Sequence, residues 1–285
     1  MKKVALFALA FVMIFTSCDV IDDPVIPFSI GYRSDLYGPA PEFGVAPTTT
    51  VNVLLEDFTA HQCGNCPDAG LIADAIYESN PDEVVLLAIH AGSLAVTNEE
   101  APFDTDWTTP ESEFYWEQLD FQANPLGRIN RSGGPGNFYS PSTWEDNVNQ
   151  VLGSTAAVNL QIEANYQSEN NHLNVHVNGQ FASNYDNGTH LVVLIAESEL
   201  YDYQLWYGQD PSTVPDYHFK HILRGSVSGP SGLSFNTEAV SSGEEIQKDY
   251  TIDWNSNWVA ENCEVIAFVI DDQSGEVLNV VKKAL

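Results

Sequence analysis

Two cysteines separated by two residues, Cys63 and Cys66, have the clearest capacity for chemistry in this sequence. A Cys-x-x-Cys pair can form a disulfide, and disulfide exchange needs an exposed thiolate beside a second thiol that resolves the mixed disulfide. At the start of a helix, backbone N–H groups and the helix dipole lower the pKa of a thiol from about 8.5 toward neutrality. One prediction is therefore disulfide exchange, with Cys63 attacking and Cys66 resolving.

The pair lies where a predicted strand is followed by a predicted helix. Residues 51–58 form a β-rich run, and residues 68–79 carry apolar side chains at the 3–4 spacing of a helix face. Pro67 fits the first turn of that helix, where its missing N–H costs nothing. His61, two residues before Cys63, is a candidate for a positive charge beside the thiolate.

Two other uses of the cysteine pair remain open. A permanent structural disulfide is compatible with an oxidising compartment. Half of a zinc site would need a second pair of ligands at zinc spacing, and the sequence shows none. Cys263 begins a predicted strand and is expected to be a small buried thiol. Neither a metal nor a cofactor is predicted.

Residues 50–154 contain predicted elements in the order strand, helix, strand, helix, strand, strand, helix. With the cysteine pair at the first strand-to-helix junction, this segment resembles the thioredoxin fold. The resemblance implies that Asp57, six residues before Cys63, is a buried acid that takes up the proton leaving Cys66. It also implies a cis Asn124–Pro125 bond, with Pro125 set against the disulfide. X–Pro bonds are cis in about 5–6% of cases in folded proteins, so this prediction is specific.

Three features depart from the thioredoxin pattern. Gln62 stands where thioredoxins usually have tryptophan, and Asn65 stands where they have proline. The stretch between Gly92 and Ala123 is longer than the minimal fold needs. These departures leave the redox partner and the reduction potential undetermined.

Residues 155–285 show a different pattern. Apolar and polar residues alternate from Val158 to Tyr166 and again from Leu173 to Val177, which is the period of half-buried strands. About seven such runs are separated by turn-forming clusters, and this spacing is typical of a β-sandwich. The predicted fold is therefore an α/β thioredoxin-like domain, residues 50–154, followed by an all-β immunoglobulin-like sandwich domain, residues 155–285.

Two clusters in the second segment are candidates for contacts with the first segment or a partner. Along a strand, His218 and Lys220 point to one face and His221 to the other, which is poor geometry for a metal site. A structural or interface role is predicted for them. The second cluster is aromatic and lies near a probable loop, where core or interface packing is the commoner use and sugar or peptide binding is the alternative. Its members are Tyr201, Tyr203, Trp206 and Tyr207.

The N-terminus has the form of an export signal. A short basic start precedes an apolar run that is too short to span a bilayer comfortably, and the run ends in small residues before Cys18. This resembles the lipobox of bacterial lipoproteins, which implies cleavage after residue 17 and a lipid on Cys18 that anchors the chain to a membrane. An ordinary signal peptide is the alternative. Residues 18–49 are proline-rich and predicted to be a tether, with Ile30–Tyr37 a candidate for packing on a domain.

Acidic residues outnumber basic residues by 40 to 10, which gives a formal net charge of −30. Such a chain repels phosphate backbones, so nucleic acid is excluded as a predicted partner. The same charge disfavours docking on anionic lipid by electrostatics alone. It favours solubility.

Taken together, the lipobox, the Cys-Gly-Asn-Cys-Pro motif, the stretch Pro125–Arg131 and the His-x-x-His-Ile-Leu-Arg motif resemble one known group. The chain is similar to the twenty-eight-kilodalton outer-membrane-protein-related lipoproteins of Gram-negative bacteria. This resemblance implies an envelope lipoprotein, on the periplasmic or the outer face, and no established reaction. Two functions are expected: thiol–disulfide exchange with the thiols or disulfides of envelope proteins, or surface binding and adhesion with a structural Cys63–Cys66 disulfide.

Overall fold

The computed structural model describes residues 30–46, 50–119, 122–134 and 136–285. The predicted signal peptide, residues 1–17, and the predicted lipidation site, Cys18, lie outside the described residues. The described chain is mostly β-sheet with few helices. Within it, no helix has both the length and the apolar character needed to cross a membrane.

Helices and strands are unevenly distributed along the chain. The helices are α1 (Ser34–Tyr37), α2 (Cys66–Ser79), α3 (Pro110–Glu117) and α4 (Trp144–Val151). The strands before residue 155 are β1 (Ile30–Gly31), β2 (Val53–Thr59), β3 (Val84–His90) and β4 (Leu126–Ile129). The later strands are β5 (Val158–Gln167), β6 (His172–Phe181), β7 (Thr189–Glu197), β8 (Leu200–Leu205), β9 (Thr213–Phe219), β10 (Ile222–Ser226), β11 (Leu233–Asn236), β12 (Glu245–Asp253), β13 (Cys263–Asp271) and β14 (Val277–Ala284).

The largest sheet crosses the predicted boundary at residue 154. Its strand order is β14-β13-β7-β10-β3-β2-β4, and β11 also pairs with β7. β3 runs parallel to β2 on one side and to β10 on the other, where Ile222 pairs with Ala88. The N–H of Ala88 donates to the His221 carbonyl at 2.8 Å. Strands from residues 50–154 and from residues 155–285 therefore share one hydrogen-bonded sheet.

A second sheet, in the order β1-β12-β6-β5, packs on the half of the large sheet formed by β7 and β13. The core between the two sheets includes Leu173 and Val175 from β6, Val193 from β7 and Val265 and Ala267 from β13. The C-terminal residues thus form a β-sandwich, as the alternation indicated. Its immunoglobulin-like form stays a prediction.

Helices cover the other half of the large sheet. Ala69, Ala73 and Ile76 of α2 and Trp144 and Val148 of α4 pack against the odd-numbered side chains of β2. The opposite face of β2 packs against α3 and the residues that follow it. Side chains of β2 therefore point alternately into two different cores.

Part of the predicted tether lies against the second sheet. β1 pairs with β12, and the Tyr37 side chain hydrogen-bonds to Nδ1 of His172 at 2.6 Å. The Tyr32 ring meets the His176 ring edge-on, with 4.7 Å between centroids. The expected packing of Ile30–Tyr37 on a domain is therefore confirmed.

The stretch Pro125–Arg131 builds the edge of the large sheet. β4 pairs with β2, and the Asn130 side chain accepts a hydrogen bond from the N–H of Leu54 at 2.6 Å. Arg131 reaches back to Glu56 on β2, with 2.6 Å between Nη2 and Oε1, and both side chains are buried. Its guanidinium also lies 4.7 Å from the Tyr115 ring centroid. Burial opposes the charge of Glu56, yet Arg131 and Arg128 hold the pKa of this carboxyl below its usual value.

Candidate functional site

Cys63 and Cys66 form a disulfide at the junction between β2 and α2. Their Cα atoms are 5.3 Å apart. The N–H of Cys63 donates to the Ala60 carbonyl, and the N–H of Cys66 donates to the Cys63 carbonyl, each at 3.1 Å. The loop from Ala60 to Cys66 therefore turns tightly from the strand into the helix, as the sequence predicted.

The disulfide is buried. Cys63 is 2% exposed and Cys66 is 3% exposed, and both pack with Ala60 and Ala95. Sequence reasoning placed an exposed attacking sulfur at Cys63. In the structure, a thiolate from solvent has no open approach to this sulfur through the described residues, because other parts of the chain cover the loop.

Residues 204–207, at the end of β8, form one part of this cover. The N–H of Leu205 donates to the His61 carbonyl at 2.8 Å, and the N–H of Tyr207 donates to the Gly64 carbonyl at 2.9 Å. The Gln204 amide donates to the Cys63 carbonyl at 3.2 Å. Sequence reasoning assigned aromatic residues here to a loop with a packing role but did not connect them to the cysteine pair.

Two further contacts fix the segment 204–207 above the loop. Nε1 of Trp206 donates to the Asp68 carboxylate at 2.9 Å. The Tyr207 ring lies against the Cα of Gly64, where an added Cβ would come within 2.6 Å of three ring carbons. The loop and the segment are therefore complementary only because residue 64 has no side chain.

The long stretch after β3 covers the loop from another direction. The His61 ring hydrogen-bonds to the Val96 carbonyl at 3.2 Å and stacks on Phe103, with 5.5 Å between centroids. The Gln62 amide donates to the same carbonyl. Burial lowers the pKa of His61, so its ring is neutral near pH 7 and does not supply the positive charge expected beside Cys63.

Asp57 lies in a cavity behind the disulfide. Asp57 and Cys66 line the same cavity, which has a volume of about 70 Å³. Oδ1 of Asp57 has no hydrogen-bond partner among the residues that the structure describes. Burial, with a smaller contribution from the Asp74 carboxylate, raises the pKa of Asp57 to about 8. This carboxyl therefore carries a proton over most of the neutral range.

His90, at the end of β3, lines the same cavity. Neither of its ring nitrogens has a hydrogen-bond partner within the described part of the chain. Burial, with smaller contributions from His61 and Arg224, lowers the pKa of His90 to about 3. Sequence reasoning missed this residue because a single histidine directly after the apolar run 84–89 carries no sequence signal of burial in a cavity.

Pro125 lies directly before β4 and is half-buried. The Asn124–Pro125 bond is cis, as predicted. The next residue, Leu126, pairs with Phe58, so Pro125 lies beside the end of β2 from which the cysteine loop departs. The structure thus brings Asp57, Cys66 and the β4 start to one end of the sheet.

The remaining candidate residues have structural partners. Cys263 is buried, which agrees with the predicted small buried thiol, and burial raises the pKa of its thiol to about 12. Lys220 pairs with Asp74 on α2 at 2.7 Å, whereas His221 faces Glu264 at 3.1 Å. Across the described ranges, no group of three or more His, Cys, Asp and Glu side chains is arranged to hold a metal ion.

Comparison with known proteins gives a family match. The family described as outer membrane protein Omp28 matches residues 112–285, which is more than half of the chain. A search of curated protein sequences found no match.

Solved structures show a related fold. HBP35 of Porphyromonas gingivalis is 14% identical, with a TM-score of 0.61 over 84% of this chain and 76% of that one. A structural-genomics protein of Agrobacterium tumefaciens is 12% identical, with a TM-score of 0.50 over 82% and 95%. A domain of the outer membrane lipoprotein Omp28 from Porphyromonas gingivalis is 25% identical over 46% and 88%, with a TM-score of 0.29. The first two similarities concern the fold alone.

Proposed function

The chain belongs to the Omp28 family of outer-membrane-associated lipoproteins of the cell envelope, and from this premise we propose that its Cys63–Cys66 pair exchanges disulfides with the thiols or disulfides of envelope proteins. A lipid on Cys18 anchors it to the membrane. Residues 50–154 carry the cysteine pair in a thioredoxin-like unit, and residues 155–285 supply the β8–β9 hairpin that covers it. The parallel β2–β3 pair, the intervening α2 and the antiparallel β4 support the thioredoxin-like assignment.

One observation carries this proposal: Asp57 is a buried carboxyl that shares a cavity with Cys66. Burying a polar group without a full set of hydrogen bonds costs stability. Oδ1 of Asp57 makes no hydrogen bond within the described chain, so hydrogen bonding by this atom does not explain why the carboxyl is buried. A carboxyl whose pKa is about 8 is instead matched to proton exchange with a thiol, whose ordinary pKa is about 8.5.

In the oxidising direction, a client thiolate attacks Sγ of Cys63 and the Cys63–Cys66 bond breaks. Cys66 leaves as a thiolate and takes the proton that Asp57 holds at neutral pH. A second client thiolate then attacks the client sulfur of the mixed disulfide, and Cys63 leaves as a thiolate. The client gains one disulfide, and the pair gains two electrons, ending as a Cys63 thiolate and a Cys66 thiol; a proton from solvent then restores Asp57. The reducing direction is the reverse of these steps.

A second candidate function is supported by the burial of the disulfide. Cysteine residues that are 2% and 3% exposed are compatible with a structural bond in a surface binding or adhesion lipoprotein. In that case the pair would never open under envelope conditions.

A redox titration separates the two functions. The full chain is equilibrated in glutathione buffers, and the fraction of open Cys63–Cys66 disulfide is measured by thiol alkylation and mass spectrometry. Exchange predicts a potential between about −120 and −270 mV, whereas a structural bond predicts one below about −300 mV.

Trapping of clients provides an independent test. A Cys66→Ala variant retains the attacking thiol but cannot resolve, so we expect it to accumulate mixed disulfides with envelope proteins through Cys63. A Cys63→Ala, Cys66→Ala variant is the matched control and should trap nothing. A potential below about −300 mV together with no trapped protein would refute the exchange function.

A further inference from the structure

We propose that residues 204–207 occupy the surface on which an extended segment of a client protein binds, so that the chain's own hairpin competes with the client for the cysteine loop. This inference rests on the proposed exchange function. It identifies the partner by its chemistry: an extended polypeptide with an aromatic side chain close to the reacting cysteine.

The outer edge of the hairpin donates main-chain hydrogen bonds to the loop. The N–H groups of Leu205 and Tyr207, two residues apart, donate to the carbonyls of His61 and Gly64, whereas the N–H of the intervening Trp206 donates to the Ser212 carbonyl within the hairpin. Alternate residues of an extended chain present their N–H groups on one edge. Domains that bind peptides by strand addition use main-chain bonds of this kind for affinity and side-chain contacts for specificity. A client segment whose backbone has the conformation of residues 205–207 can make the same two bonds.

The side-chain contact indicates what the client carries. The Tyr207 ring lies on Gly64, yet 66% of this tyrosine remains exposed. The Tyr207 ring therefore contributes little to a hydrophobic core and lies instead over Gly64 of the loop. An aromatic side chain on the client fits the same flat surface, which exists because residue 64 is glycine.

The hairpin is built so that its tip can separate from the loop. Among the described strands, β8 and β9 form a two-stranded sheet of their own and are not paired with either larger sheet. A two-stranded hairpin has marginal stability by itself. Its base is held by Phe219, which packs with Trp107 and Ile222 in a separate cluster. The tip can therefore lift through loss of a few hydrogen bonds while the base stays in place.

The rate at which dithiothreitol reduces the Cys63–Cys66 disulfide in the full chain measures this opening. Tyr207→Ala removes the ring from Gly64, and we expect it to raise the rate by about tenfold through local opening. Tyr201→Ala is the matched control, because Tyr201 lies on the same hairpin, is 58% exposed and stacks on His218 instead of the loop. Its rate should stay within about twofold of the wild type.

Gly64→Ala tests the same contact from the loop side. The added methyl group occupies the position of the Tyr207 ring, so reduction should again be faster. Because both changes break one contact, the double variant should be no faster than the faster single variant. Additive effects, or equal rates for Tyr207→Ala and Tyr201→Ala, would overturn the proposed competition.

A peptide with the sequence of residues 202–208 tests the client surface directly. Added to Tyr207→Ala, it should slow reduction toward the wild-type rate by binding the freed carbonyls. The control peptide carries N-methyl groups at the positions of Leu205 and Tyr207, which removes both donors, and should not protect. Failure of the unmodified peptide to protect overturns the client surface, whatever envelope trapping shows. Protection with no trapped envelope protein and a potential below about −300 mV refutes instead the exchange function on which the client role rests.

Discussion

At the scale of single residues, Asp57 and His90 are titratable groups buried in one cavity with opposite shifts. Burial holds Asp57 protonated up to a pKa of about 8 and holds His90 neutral down to a pKa of about 3. Both side chains are therefore uncharged at neutral pH. Asp57 and His90 thus add no net charge to the cavity behind Cys66 at neutral pH, although the Asp74–Lys220 pair also lines it.

Asp57→Asn should stabilise the oxidised protein increasingly as pH rises. Between about pH 4 and about pH 8 the folded wild type holds a proton on Asp57 that the unfolded chain releases, so the wild type loses stability with rising pH. The advantage of the variant should grow by up to about 1.4 kcal/mol per pH unit in this window. Urea unfolding at pH 5 and pH 8 measures it. Asp104→Asn, at an exposed position, is the control; an equal advantage of Asp57→Asn at both pH values would contradict the shift.

His90→Phe should make the fold less sensitive to acid. The folded wild type excludes a proton from His90 that the unfolded chain binds below about pH 6.5, so stability falls as pH decreases from about 6.5 toward about 3. Phenylalanine keeps the ring contact with Phe219 and removes the titration. Thermal unfolding at pH 7 and pH 4.5 should show a smaller loss for the variant. A loss equal to that of the wild type would show that His90 does not titrate differently on folding.

At the scale of elements, the two faces of β2 have different surroundings. Asp57 points toward α2 and the cavity, whereas its neighbour Glu56 points to the opposite core and pairs with Arg131. The Glu56–Arg131 pair fixes the chain after β4 against β2. Pro125–Arg131 therefore helps to position the cysteine loop, because this stretch is fixed against β2 at the edge of the sheet.

Breaking the Glu56–Arg131 pair on one side should destabilise the protein strongly. Arg131→Met leaves the Glu56 charge buried without this partner, at an expected cost of about 3–5 kcal/mol. Glu56→Gln, Arg131→Met together should cost less than Arg131→Met alone, because the double variant also removes the buried Glu56 charge and leaves Arg128 as the remaining buried charge of this group. Denaturant unfolding of Arg131→Met, Glu56→Gln and the double variant measures the difference. A double variant that loses the sum of the single losses would mean that the pair does not interact.

The residues of the site that are close together in the chain were predictable from sequence, whereas the distant residues 204–207 that cover them were not. Cys63, Cys66 and Asp57 lie within ten residues on one strand, loop and helix, so their spacing alone indicates their proximity. The contacts of Leu205 with His61 and of Ile222 with Ala88 depend on how distant strands meet. Alternation of apolar residues specifies which face of a strand is buried but not which strand lies beside it. The burial of Cys63 therefore required the structure.

At the scale of the whole molecule, the large sheet joins the segments before and after residue 154. β3 lies between β2 and β10, and one apolar core combines Phe58 and Leu87 with Leu194 and Phe268. Neither segment completes this core by itself. The two predicted units are therefore held together by one sheet and one shared core.

A fragment of residues 50–154 should not fold to a stable monomer. Without β10 it exposes the edge of β3 and the apolar side chains that face Leu194 and Phe268, and such edges promote aggregation. Size-exclusion chromatography and near-ultraviolet circular dichroism should show aggregated or loosely packed material, in contrast to the full chain. A soluble fragment with a cooperative unfolding transition would show that the segment is an independent domain.

Residues 204–207, which cover the disulfide, come after both cysteines in the chain, and this order matters during biogenesis. A nascent chain emerges from its N-terminus, and Cys63 and Cys66 precede Tyr207 by about half the length of the protein. Oxidants of the envelope can therefore reach both thiols before the segment that later covers them has emerged. Formation of the disulfide thus needs no opening of the hairpin, whereas the exchange proposed for the finished protein does.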